Sequence, residues 1–90
     1  MQEYIDKYLN DYLVICGDEI STKIFICKQY LNETDYAIIK MYEAVVQGGS
    51  IIEMLAEYKE TLVKRKEARQ LINELETEIK QNEENNNTND

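Results

Sequence analysis

Histidine, tryptophan and proline are missing from these 90 residues, glycine occurs three times and cysteine twice. Without histidine, no side chain that ordinarily titrates near neutrality can activate a serine or cysteine nucleophile. Cys16 and Cys27 fall short of the four ligands of a structural zinc site and of a disulfide framework. Both sit among apolar neighbours and read as reduced, half-buried thiols. Gly48-Gly49 is not a phosphate-binding loop, because no lysine follows in the required register. Paired carboxylates working as acid and base need a cleft, and the carboxylates here fall mainly on solvent faces and turns. The expectation is therefore no enzyme, no cofactor and no metal. Long apolar runs are lacking too: none approaches the ~18 residues that a membrane-spanning helix needs. Met1-Gln2-Glu3-Tyr4 has neither the basic start nor the apolar stretch of a secretory leader, so a cytosolic protein is expected.

What is present is acid, tyrosine and helical periodicity. The net charge is −8, divided as −4 over residues 1–50, −1 over 51–81 and −3 over 82–90. A surplus of acid repels phosphate, which disfavours direct contact with nucleic acid or an anionic membrane and suits a basic protein surface. Apolar residues make up 43%, enough for one small domain with a thin core. We expect that domain to span 1–81. The tail 82–90 holds no apolar side chain to offset the entropy of ordering, and is expected to be disordered.

The fold expected is mainly α. Ile5, Tyr8, Leu9 and Tyr12 recur at three and four residues and mark a short helix over 2–10. Residues 12–27 are ambiguous. Tyr12 to Cys16 and Ile20 to Cys27 are rich in β-branched and aromatic residues, Ile24 and Ile26 alternate, and Gly17-Asp18 suits a tight turn, so a β-hairpin is favoured. The rival is a helix over about 19–31, because Ile20, Ile24, Cys27 and Leu31 also form a helical stripe. Beyond this segment we expect an antiparallel two-helix hairpin. Its first helix, about 35–47, would start at a Thr34 or Asp35 cap and end at Gly48-Gly49. Its polar residues Lys40, Glu43 and Gln47 occupy one narrow line, so it must be covered on more than one side. Its second helix, about 51–81, opens with the Ser50/Glu53 capping box. Leu55, Tyr58, Leu62, Ala68, Ile72, Leu75 and Ile79 form a seam near the 3.5-residue period of paired helices, interrupted by Arg65, which is expected to meet a carboxylate across the seam.

This second helix would be more than twice as long as the first, leaving Ile72, Leu75 and Ile79 without a partner inside the hairpin. Either the N-terminal segment folds back over them or another protein covers them. Tyr4, Tyr8 and Tyr12 share one stripe and are read either as the domain's own core or as a docking face, since tyrosine is enriched at interfaces. These six residues are the candidate partner-binding set; Gly48, Gly49, Ser50 and Glu53 are the candidate structural residues. Lys59, Lys64, Arg65, Lys66 and Arg69 form a basic stretch, but Glu57, Glu60 and Glu67 interleave with it, so it reads as a solvated face.

Two phrases carry a resemblance covering about half the chain. Tyr30-Leu31-Asn32-Glu33-Thr34-Asp35-Tyr36-Ala37-Ile38-Ile39-Lys40 is followed by Leu62-Val63-Lys64-Arg65-Lys66-Glu67-Ala68-Arg69 and Ile72-Asn73-Glu74-Leu75-Glu76. Together, over residues 30–76, they resemble the C-terminal region of small proteins encoded in phage and prophage tail modules of low-GC bacteria. Some of those are called tail-fibre assembly or accessory proteins. The resemblance implies a tail-module structural or assembly protein in the bacterial host cytoplasm or the virion, whose partner is a tail or fibre protein or a second copy of itself. The alternative drawn from the −8 charge is a small acidic inhibitor that imitates nucleic acid, directed at a host nuclease, CRISPR machinery or a repressor.

Overall fold

The computed structural model describes residues 1–88, and side chains as far as residue 84. Among the described residues the chain forms three helices, α1 (Gln2–Cys16), α2 (Glu19–Val46) and α3 (Ile51–Thr88), with no strand. The mainly helical expectation stands. The β-hairpin over 12–27 does not, because both its arms are helical.

Gly17-Asp18 is the cause of that difference. Gly17 takes φ +89°, a left-handed conformation that suits glycine, and its N–H donates to the Leu13 carbonyl at 2.9 Å. Asp18 is extended, and its Oδ1 accepts the Ser21 N–H at 2.8 Å. The pair closes one helix and caps the next, so a dipeptide suited to a hairpin turn serves equally as a helix–helix joint. The alternation of Ile24 and Ile26 has a second explanation as well. Ile26 lies on the helical stripe of Thr22 and Tyr30, and Tyr30 meets Tyr4 of α1. Ile24 lies on the stripe of Ile20, Cys27 and Leu31; Ile20 and Leu75 of α3 border one groove, and the Leu31 carbonyl bonds Arg65. All of Thr22, Ile24, Ile26, Cys27 and Tyr30 are buried. A central helix covered on two sides buries residues two apart without being a strand.

The short helix 35–47 is the distal part of α2. Thr34 and Asp35 lie inside that helix and do not cap it; the cap is Asp18. At the other end α3 continues past residue 81 to Thr88, since extending a formed helix avoids the cost of a new nucleus. The last two residues of the expected disordered tail, 89–90, lie outside the described residues.

α1 lies antiparallel along the first half of α2: Tyr4 meets Tyr30 and Tyr12 meets Phe25, with ring centroids 5.0 and 5.1 Å apart. α3 runs antiparallel to α2 along its length, fixed by Lys28–Glu76 at 3.6 Å and Arg65–Asp35 at 2.8 Å. The buried apolar residues are Ile5, Ile24, Ile26, Cys27, Tyr30, Ala68, Ile72 and Leu75. Each is numbered below 36 or above 64. At ~1.5 Å per residue α1 is ~22 Å long and α2 ~42 Å, so α1 covers only half of α2. The molecule therefore divides into a three-helix base and a two-helix tip formed by residues 36–64. Its extents are 61 × 27 × 16 Å and its radius of gyration is 17.0 Å, against ~12 Å for a compact domain of this length.

Candidate functional site

The six residues singled out as partner-binding lie in the base. Tyr4, Tyr8 and Tyr12 form a ladder, with centroids 4.9 Å apart between the first two and 5.9 Å between the last two. They lean on α2 and pack against the buried cluster. The Tyr4 hydroxyl donates to Glu33 Oε2 at 2.9 Å. Burial, reinforced by that carboxylate, pushes the Tyr4 phenol up to about 12. Ile72 and Leu75 are buried and Ile79 is half-buried beside them. The apparent overhang is filled from within: α2 starts at Glu19, and its first half lies where a foreign partner was one of two options.

Arg65 marks the upper limit of the base. It is buried, with Nη1 donating to the Leu31 carbonyl at 2.8 Å and Thr34 Oγ1 at 2.6 Å, and Nη2 donating to Asp35 Oδ1 at 2.8 Å. A carboxylate partner was expected; the two extra acceptors come from α2 passing directly across the guanidinium. A fork with three fixed acceptors sets the register of α2 on α3.

Above Arg65 the surface changes. Tyr36, Ile39, Tyr42, Val46, Ile51, Ile52 and Leu55 are all exposed, with Tyr42 at 69%, Val46 at 69% and Ile52 at 81%. Sequence reasoning did not name them as a site. The signal was available, since α2 is apolar around most of its circumference there and α3 covers one side only.

The turn between the two helices is tightly built. Gly48 has φ +99°, and a Cβ on Gly49 would lie 2.7 Å from the Ala44 carbonyl oxygen. That oxygen accepts the Gly49 N–H at 2.8 Å. Ser50 Oγ accepts the Glu53 N–H at 3.3 Å, the N-terminal half of the expected capping box. These contacts join the end of α2 at Val46 to the start of α3 at Ile51 through a four-residue turn.

The spacing of the exposed residues defines a face. Ile39, Tyr42 and Val46 fall at three and four residues on α2. Traced down the helix, their stripe reaches Asp35 and Lys28, the residues that bridge to α3 along the base. α1 meets α2 on a different line, through Phe25, Gln29, Tyr30 and Glu33. On α3, Ile51 and Leu55 continue into the half-buried Tyr58 and Leu62, again at three and four residues. The Met1 amino group instead pairs with Glu67 at 3.0 Å, on another flank of α3. The two stripes thus share the side of the hairpin turned away from α1.

Chemistry of other kinds has little to work with. Among the described residues, no group of three or more His, Cys, Asp or Glu side chains is placed to hold a metal ion, and no helix is long and apolar enough to cross a membrane. An open groove of about 550 Å³ beside Met1 is lined by Val63, Lys64 and Glu67 among others. The Lys64 amine is raised and the Glu60 carboxyl lowered by their mutual hydrogen bond, a one-turn surface pair at 2.9 Å. Burial pushes the Cys27 thiol up, which disfavours the reactive thiolate. Compared with protein-family models, curated proteins and solved structures, the chain matches none.

Proposed function

We propose that the protein works by protein–protein contact and not by catalysis, as a structural or assembly accessory of a phage or prophage tail module. The observation that supports contact is the tip: a stripe of aliphatic and tyrosine side chains left in water on two adjoining helices. The largest contiguous apolar patch on a monomeric protein is often functional, and one beyond a few hundred Å² marks an interaction surface. The tail-module assignment rests on the phrases in residues 30–76, which run from the base through the tip and back. The reading as a nucleic-acid mimic draws less support. It needs carboxylates in ordered rows, and Glu19, Asp35, Glu60, Glu67 and Glu76 are each engaged with a cation.

Affinity capture of the full chain from induced lysogenic cells tests the proposal. A tail or fibre protein should be retained by the wild type and lost with Tyr42→Asp. Recovery of the chain free of any tail component, together with its absence from particles and assembly intermediates, overturns the tail-module reading.

A further inference from the structure

We infer that the exposed tip is covered by a second copy of this chain, forming a four-helix bundle from two hairpins. The inference rests on the contact reading above and names the partner.

Area is the first argument. The exposed members of the two stripes, Ile39, Tyr42, Val46, Ile51 and Leu55, leave on the order of 600 Å² in water, most of the ~800 Å² that a stable interface takes from each partner.

Charge is the second. Two copies at −8 each repel when they meet at random. Residues 36–64 hold three lysines and four glutamates, a net −1 of the −8. Contact through the tips is contact through the least charged third of the molecule. The residues flanking the two stripes differ in sign as well. By helical position Glu43 borders Ile39 and Val46 on α2, while Lys59 and Lys66 border Leu55 and Leu62 on α3. Laying α2 of one copy on α3 of its twin sets acid against base on both edges at once. One patch serves both partners, as a two-fold interface requires.

The test is the mass in solution of the full-length chain, by light scattering after size exclusion, over a concentration series. Twice the chain mass is expected for the wild type. Tyr42→Asp and Leu55→Asp should each raise the dissociation constant at least ~30-fold, the scale of an interface hot spot. Circular dichroism checks that each variant keeps its helix. Val14→Asp, at an 88% exposed position on the far end of α1, should leave the dimer intact. Lys59→Glu should weaken the dimer, and Lys59→Glu with Glu43→Lys should recover it. A wild type that stays monomeric at the highest concentration overturns the inference, as does a dimer that Val14→Asp breaks while Tyr42→Asp and Leu55→Asp leave it whole. A monomer that still retains a tail protein through Tyr42 leaves the contact proposal standing; a monomer that retains none ends both.

Discussion

The base and the tip are made of the same two helices and have opposite fates. In the base, α2 lies between α1 and α3, and Thr22, Ile24, Ile26, Cys27 and Tyr30 are buried, with Phe25 left at the edge. In the tip, α2 is at least as apolar, yet Tyr36, Ile39, Tyr42 and Val46 remain in water. What separates the two is the reach of α1, which ends its cover near Glu33, where Tyr4 donates its hydrogen bond. Stability and stickiness are therefore set by one length: fifteen residues of α1 against twenty-eight of α2. The thin core of a 90-residue chain is concentrated at one end, and its interaction surface is what that core could not cover.

The largest break in this comparison should come from truncating the base. Ile26 is fully buried, so Ile26→Ala should cost ~3 kcal/mol in urea unfolding, lost transfer energy plus a cavity. Ile39→Ala in the tip should cost ~0.5 kcal/mol or less when measured below the concentration at which copies associate. Equal losses at the two sites would mean that the tip is packed in the isolated chain. Next in size is Arg65→Ala. Its three charge-assisted bonds hold α2 in register at the border, and their removal should cost ~2 kcal/mol. Hydrogen exchange should speed up most on the tip side of residue 65, because the tip has no third helix to hold it. Smaller again is Gly48→Ala, where an L side chain meets φ +99°. About 1 kcal/mol is expected, seen as fraying near the turn, with the base amides unaffected.

How much of this was legible in the sequence follows from one joint. Ser50, the Gly48-Gly49 elbow and the seam through Ala68, Ile72 and Leu75 lie where their spacing put them, because each is a local pattern with one reading. Arg65 was visible as a charge interrupting an apolar seam. Gly17-Asp18 was not decidable locally: the same two residues suit a hairpin turn and a cap-to-cap joint, and the flanking isoleucines fit both periods. Reading a hairpin there started α2 at Asp35 in place of Glu19, sixteen residues too late, or ~24 Å of helix. That missing length created the apparent overhang and drew the candidate site to Ile72, Leu75 and Ile79. The tip escaped notice for a related reason. An apolar circumference says that a helix needs cover on several sides, and only the tertiary arrangement says which side goes without.

The smallest effect sharpens the comparison by pH, and its sign follows from Tyr4. Its phenol is pushed up to about 12 in the folded chain by burial and by Glu33, from ~10 when unfolded. A group whose folded value is raised contributes fully below the unfolded value and loses that contribution as pH climbs through the folded one. The base should therefore weaken between pH 10 and about 12. Asp18 acts at the other extreme: the Ser21 N–H holds its carboxyl below the usual range, so its contribution is present above pH ~4 and fades as the carboxylate protonates. Ultraviolet difference titration should show a phenol ionising near pH 12 that is absent from Tyr4→Phe, and the variant should lose less stability over that alkaline window; burial raises the Tyr30 phenol too, so part of the loss persists. An alkaline loss of the same size in Tyr4→Phe as in the wild type would mean that burial of this phenol against α2 does not set the stability of the base.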